Sequence, residues 1–301
     1  MTNAVEISNL VYRAGRKFAL KNVNLHVPTG SIYGFLGPNG AGKTTTMRLI
    51  VGLLRPLSGS IQVLGLHMPE DAPTILARLG YVPEQPHLDA TMTVREILRF
   101  QAAFYPTWDS NHAEKLLTAF QLDEDNLFGR LSKGQKAKVM ILLALAQRPE
   151  LLVLDEPTEG LDPVVRRDIL AALVAFVSQR QTTVLISSHL VHELERICDW
   201  IGLMDAGQLV TEMPISELKS GIKRLRVTNV PKSVPTTPFI ILNRESMNGG
   251  SETWTVRGWK ADQSAYFDSI GGALVDVMDV DLEDGFVEIL GFYRRSPTWE
   301  V

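Results

Sequence analysis

Apolar positions along the chain recur with two different spacings. Val5–Tyr12 and Leu20–Val27 alternate as strands do, on either side of a turn at Arg13–Lys17. Ser31–Leu36 is a short apolar run that predicts a buried strand, Thr44–Val51 predicts a helix, and Ser60–Leu64 predicts a further strand. From about Thr93 to Gln147 the spacing becomes helical: Val94–Phe104 places apolar residues at i, i+3, i+4 and i+7, His112–Phe120 repeats the pattern, and a long helix should follow Leu131-Ser132. Leu151–Leu154 and Thr182–Ser187 return as near-continuous apolar strands flanking the amphipathic Val164–Gln179. Strands without alternation, separated by helices, predict a parallel sheet covered on both faces.

Past Leu218-Lys-Ser-Gly221 the texture changes. Arg224–Val230, Phe239–Asn243 and Thr253–Arg257 alternate, with Pro-, Ser- and Gly-rich turns between them, then a helix near Asp262–Ile270 and a strand at Ala273–Val280. The chain therefore reads as residues 1–221, with a helical subdomain at about 85–147, and a small α+β appendage at 222–301. A length of 301 residues accommodates one large and one small domain.

A net charge of −4 argues against nucleic acid as a partner, because nucleic-acid-binding proteins carry a basic face. The single cysteine, Cys198, excludes an internal disulfide and is expected to pack as a small hydrophobe on the helix after His189. The N-terminus lacks the pattern of a signal peptide, and no stretch approaches the ~20 apolar residues of a membrane span. The expectation is a protein soluble by itself, whose link to a membrane runs through a partner.

The candidate chemistry begins at Gly37-Pro-Asn-Gly-Ala-Gly-Lys43-Thr44, which fits G-x-x-x-x-G-K-[ST] between an expected strand and an expected helix. Its glycines let successive N–H groups curl around phosphates, and the helix start adds partial positive charge. Gly37, Asn39, Gly40, Ala41, Gly42, Lys43, Thr44 and Thr45 are the candidate nucleotide-binding residues. Lys43 is expected at the β- and γ-phosphates, and the Thr44 hydroxyl on Mg²⁺. Leu151–Leu154 delivers Asp155 and Glu156 at a strand end, where ligands of parallel sheets bind. Asp155 suits a metal and Glu156 a general base. Leu131-Ser132-Lys133-Gly134-Gln135 opens a helix with a serine cap and forms an anion-binding tip, although a plain capped helix has the same pattern. His189 ends another apolar strand.

The phosphate loop, Ser132-Lys-Gly-Gln, Asp155-Glu156, Gly160-Leu161-Asp162 and His189 occur in an order that resembles the ATP-binding subunits of ABC transporters, over about residues 3–220. That resemblance implies the fold class: α/β, a P-loop NTPase ABC cassette with a RecA-like parallel sheet core, an antiparallel β subdomain and an α-helical subdomain, plus a small C-terminal α+β domain. It implies ATP and Mg²⁺ as cofactors, with Glu156 and His189 catalytic and Thr44, Asp155 and Glu84 at the metal. It also implies a homodimer, or a heterodimer with a second ABC ATPase. In such a dimer Ser132, Gly134 and Gln135 act on the other subunit's nucleotide. Lys133 stands where the signature has its first glycine, Asp162 lies in the D-loop, and Glu84 stands where most members have glutamine, with Gln85 next to it. Tyr12 is the candidate for stacking on adenine; because the Arg13–Lys17 turn is longer than usual, Ala14 can occupy that position instead. Pro83-Glu84, Ser-Lys-Gly, Gly-Leu-Asp-Pro and the tail Asp281–Gly291 look like the bacterial type 2 exporters. By composition that tail is also an amphipathic helix packing Leu282, Phe286 and Ile289. The implied function is ATP hydrolysis driving export through a separate integral membrane permease, at the cytoplasmic face of the cell membrane. The alternatives are an importer ATPase and a non-transport ABC ATPase.

Overall fold

The computed structural model describes residues 2–15, 18–180, 182–247 and 250–295. Two of the five residues of the expected turn at 13–17, Arg16 and Lys17, lie outside the described residues. Chain contacts divide the protein into two compact units, 1–212 and 213–301. The division precedes the Gly221 boundary expected from sequence, because the helix Ile215–Gly221 joins the second unit, where Leu218 is buried and Glu217 pairs with Arg257 at 3.1 Å.

The first unit opens with β1 (Asn3–Ala14) and β2 (Phe18–Pro28), an antiparallel pair running from Asn3↔Pro28 to Ala14↔Phe18 with register shifts between Asn3 and Val5, Ile7 and Leu10, and Leu10 and Tyr12. Next, β3 (Ile32–Leu36) runs straight into the glycine loop and α1 (Lys43–Ile50). The strands β4 (Ser58–Val63) and β5 (Leu66–Met68) complete a four-stranded sheet of order β2-β1-β4-β5. A short helix α2 (Ala72–Leu76) leads to β6 (Leu79–Val82). The expected helical region then resolves into α3 (Val94–Ala102), α4 (Ser110–Ala119) and α5 (Lys133–Ala146). Side-chain caps fix where each begins. Thr93 and Glu96 form a capping box on α3, Asp109 accepts from the His112 amide on α4, and Ser132 with Gln135 forms a second box on α5.

After α5 come β7 (Leu151–Leu154), α6 (Pro163–Arg180), β8 (Thr183–Ser188), the single-turn α7 (Val191–Leu194), β9 (Trp200–Asp205) and β10 (Gln208–Pro214). Six strands form one sheet of order β10-β9-β3-β8-β7-β6. The pairs β3–β8, β3–β9, β7–β8 and β6–β7 are parallel. Their register aligns the strand ends: Leu36 sits opposite Ser188, Leu154 opposite Ile186, and Val82 opposite Leu154. The segments that follow Leu36, Val82, Leu154 and Ser188 therefore emerge along one edge of the sheet, which is where this architecture collects ligands. A single buried cluster joins both sheets to α1: Ile7, Leu25 and Val63 from one, Tyr33, Phe35, Val153 and Leu185 from the other, and Met47, Leu49 and Ile50 from the helix. The helix behind the phosphate loop is thus gripped on its apolar side. Cys198 is buried as expected, but one turn beyond α7 rather than on it, where it packs against Gly34. Burial pushes its thiol well above the ordinary range.

The second unit carries α8 (Ile215–Gly221), β11 (Ile222–Thr228), β12 (Ile240–Ser246), β13 (Ser251–Arg257), α9 (Ala265–Ser269), β14 (Ala273–Asp279) and α10 (Leu282–Arg295). Its strands form an antiparallel sheet of order β12-β13-β11-β14. An aromatic-rich core of Leu225, Val227, Phe239, Trp254, Val256 and Phe267 belongs to this unit alone. Of the expected tail contacts, Leu282 and Ile289 are buried, and Phe286 is half-buried.

Candidate functional site

The loop Gly37–Gly42 wraps the start of α1. Gly42, the residue before the helix, has φ +115, and a side chain there would collide with Leu20 and Met204 at 2.7 Å, so only glycine fits. No side chain caps α1 and its first turn holds no acidic residue. The unpaired N–H groups of that turn are left facing a cleft of about 340 Å³. Asn39, Gly40, Ala41, Gly42, Lys43, Thr44 and Thr45 line it, together with Phe18, Glu84, Glu156 and Glu159. Such a helix start is an anion site with fixed donors. Lys43 is 5% exposed, its ammonium donating to the Gly37 carbonyl at 2.7 Å and pairing with Glu156 Oε1 at 3.1 Å.

Asp155 and Glu156 follow β7 directly. Asp155 is fully buried; its Oδ1 accepts from Thr44 Oγ1 and from Ser187 Oγ, both at 3.0 Å. Its Oδ2 is buried without a hydrogen-bond partner. Burial raises its carboxyl above the ordinary aspartate range, against the lowering effect of the Ser187 and Thr44 hydroxyls. Glu156 has a left-handed backbone, φ +47, and its amide donates to Ser187 Oγ at 2.8 Å. Its carboxylate bridges two side chains: the Lys43 ammonium on Oε1 and the His189 imidazole, whose Nδ1 lies 3.0 Å from Oε2. Residues from three segments of the chain, named by sequence for one site, are thus brought together by direct contacts: Lys43 and Thr44, Asp155 and Glu156, and His189.

The remaining sequence-derived residues divide. Of the neighbours Glu84 and Gln85, Glu84 is among the residues that line the cleft and Gln85 is not. Tyr12 does not line the cleft: it lies opposite Leu20 and packs on the core between the sheets. This corrects the aromatic assignment. Phe18 lines the cleft instead, with its ring edge 3.2 Å from where a Gly42 side chain would lie. The signal for it was the pairing Ala14↔Phe18, which puts the ring across the hairpin from the alternative position Ala14. Ser132, Gly134 and Gln135 lie at the start of α5 and are not part of this cleft. Ser132 is exposed, its hydroxyl accepting from the Gln135 amide at 3.2 Å while Gln135 Oε1 accepts from the Ser132 amide at 2.9 Å. Gly134 packs against Val165 of α6, where a side chain would approach within 3.2 Å. The Lys133 ammonium lies over Gly160 and lines a small second cavity with Glu84, Glu156 and Glu159. Asp162 caps α6, accepting from the amides of Val164 and Val165 at 3.0 and 3.1 Å.

The pattern of the ABC transporter family matches residues 20–159. The chain is 36% identical over 221 residues to the bacitracin transport ATP-binding protein BcrA of Bacillus licheniformis, covering 73% of this chain and 72% of that one. It is 33% identical to the Nod factor export ATP-binding protein I of Cupriavidus metallidurans, over 98% of this chain and all of the other. The chain belongs to the ATP-binding proteins of ABC transporters. Solved structures agree. The ATP-binding subunit of an ABC transporter superposes with a TM-score of 0.66 at 29% identity, covering 72% of this chain and 92% of its own. A dimeric ATP-binding cassette in a post-hydrolysis state with ADP and phosphate shares the fold, with a TM-score of 0.63 at 24% identity, covering 70% and 98%. This ABC subunit binds ATP and is an ATPase coupled to transport.

Proposed function

We propose that the ABC subunit hydrolyses ATP at the cleft above α1, with Glu156 as general base, Asp155 and Thr44 at Mg²⁺, and His189 at the γ-phosphate. The observation that carries this is the three-group contact in which Glu156 joins Lys43 to His189, beside the Thr44–Asp155 hydrogen bond. A phosphate entering at α1 competes with Glu156 for Lys43, which frees the carboxylate to polarise a water. Asp155 suits magnesium because its Oδ2 is buried and unpaired. Among the described residues no three His, Cys, Asp or Glu side chains cluster as a metal site, which fits a magnesium held mainly by substrate phosphates. Magnesium would supply charge neutralisation between the phosphates; the chain's part is to orient the metal with Thr44 and Asp155 and to hold the water proton at Glu156. Phe18 is assigned to the adenine face. Glu156→Gln should bind ATP normally and turn over at least ~10²-fold more slowly. Phe18→Ala should raise the KM for ATP about tenfold with little change in kcat, the size of one lost base–aromatic stack. Wild-type turnover in Glu156→Gln would sink the reading, and an unchanged KM in Phe18→Ala would move the base elsewhere.

The same reading makes the active unit a dimer, or a pair with a second ABC ATPase, with Ser132 and Gly134 donating to the nucleotide of the other copy. It places the subunit on the cytoplasmic face of a membrane, bound to a permease, with export as the direction. The names of the relatives, bacitracin transport and Nod factor export, support that direction. No described helix is long and apolar enough to cross a membrane. Phe100 and Phe104 at the end of α3 are 58% and 64% exposed and stack edge-on at 5.0 Å, while Leu88, Met92, Tyr105 and Trp108 are half-buried beside them in sequence. An exposed aromatic pair fits a cytoplasmic segment of the permease. Phe104→Glu should abolish copurification of the permease and ATP-driven transport and leave basal ATPase unchanged. Retention of both would put the permease contact on another face.

A further inference from the structure

Two tethers run between the loop after β7 and the segment around α7. The first is the contact of Glu156 with His189 at 3.0 Å. The second lies one helical turn further along. Glu193 Oε2 accepts from Thr158 Oγ1 at 2.7 Å, and Glu193 Oε1 pairs with Arg166 Nε at 2.8 Å. Arg166 also donates through Nη2 to the Leu161 carbonyl at 3.3 Å, in the turn before α6. Glu156 and Thr158 are two residues apart, and His189 and Glu193 four, so the two tethers close a ring.

The tethers differ in access. The His189 side chain is 30% exposed and its partner Glu156 lines the cleft, so an incoming phosphate can take the place of either group. Glu193 is 2% exposed, Thr158 is buried, and neither they nor Arg166 lines the cleft. A carboxylate that deep persists only with its partners in place, because removing one leaves an uncompensated buried charge. One tether is therefore exchangeable and the other permanent.

We infer that Glu193 is a positioning residue for ATP hydrolysis. Anchored to Thr158, it keeps His189 within reach of the terminal phosphate while the Glu156–His189 contact exchanges. Through Arg166 it carries the position of α7 to the Leu161 backbone, and so to the Gly160–Pro163 turn. The inference rests on the reading of His189 as the group that meets the γ-phosphate.

The test uses the full chain and follows ATP turnover, ATP binding and melting temperature in Glu193→Gln, Thr158→Val, Arg166→Gln, His189→Ala and the double variant His189→Ala/Glu193→Gln. Glu193→Gln and Thr158→Val should each lower kcat about tenfold or more, with the KM for ATP within about twofold of wild type, because a misplaced catalytic group costs rate rather than binding. The double variant should be no slower than His189→Ala alone, since residues acting as one unit lose their effect only once. A merely structural role would give losses that multiply in the double variant, whatever the melting temperatures, and that result overturns the inference. Wild-type turnover in Glu193→Gln and Thr158→Val with a dead His189→Ala overturns the inference and leaves the His189 reading standing. Wild-type turnover in His189→Ala removes both. If Glu193→Gln fails to fold, the near-isosteric Thr158→Val decides by the same criteria.

Discussion

Asp155 shows how a single residue can be built for its ligand at the expense of the empty fold. Its carboxyl is raised above the ordinary aspartate range because burial outweighs the two hydroxyls it accepts from. The folded protein therefore holds the Asp155 proton more tightly than the unfolded chain does. Below the ordinary aspartate value both states are protonated and there is no penalty. As pH rises towards the raised value the unfolded chain ionises first and stability falls; above it the full penalty persists. Asp155→Asn should thus melt a few degrees higher than wild type near pH 8 without nucleotide, a shift typical of about 1 kcal/mol, and the gap should shrink as pH falls through the raised value. Adding ATP and magnesium should stabilise wild type more than the variant. Thermal melts across pH check this, and a variant that melts lower at pH 8 would refute it. At this scale the sequence was most legible where neighbours along the chain are also neighbours in space, as for Lys43, Thr44, Asp155 and Glu156. It was least legible at Phe18, because a long hairpin register decides which aromatic reaches the cleft, and strand periodicity alone turns Tyr12 into the core. Glu193 carried no motif at all; only its burial against Thr158 and Arg166 distinguishes it.

Among the elements, the parallel strands read clearly from their unbroken apolar runs, and β3, β7 and β8 lie within a residue or two of expectation. The strands β6, β9 and β10 were not anticipated, since four to seven residues give too little periodicity, while the helix expected after His189 is only the single turn α7. The start of α5 is the element whose role most needs a decision. Ser132 and Gln135 form a complete capping box, which by itself accounts for a serine there. Cap and phosphate contact respond in opposite ways to Ser132→Asp. Aspartate caps as well as serine and favours the positive end of the helix dipole, so a plain cap stays neutral or gains stability. Against a γ-phosphate the same carboxylate repels. Ser132→Asp should keep the melting temperature and monomer ATP binding of wild type, yet lose ATPase activity and the ATP-dependent dimer. Mixing it with Lys43→Ala subunits should regain part of the activity, because each dimer then contains one intact composite site. Full activity in Ser132→Asp would reduce the signature to a helix cap.

The whole molecule is two self-contained units, and their division of labour sets the last prediction. Every residue placed around the cleft, and the start of α5, falls within the first unit. The second has its own aromatic core, with Trp254 fully buried beneath the Arg244 guanidinium at 4.6 Å, and Arg244 and Trp254 both bonded to Glu252 at 2.7 Å. What that unit leaves exposed is informative. The edge strand β14 presents Val275, Val277 and Met278 at 51, 42 and 38% exposure, on an edge that no described strand pairs. Open edges with apolar side chains are sites of chain association that proteins ordinarily blunt or cover. A chain ending at Pro214 keeps β10 whole and removes α8 with the appended sheet. It should fold, bind ATP with unchanged affinity, and retain Glu156-dependent hydrolysis at high protein concentration. Its ATP-dependent dimer should weaken several-fold, because the β14 edge is gone. Val277→Lys in the full chain should reproduce that weakening: Val277 shares a face with its buried register partner Leu225 but is 42% exposed at the edge, so a lysine there can carry its ammonium out to water. Sedimentation with Glu156→Gln as background, which holds ATP, measures both. An unchanged dimer constant in the truncated chain and in Val277→Lys would leave the β14 edge to a partner other than a second copy of this chain.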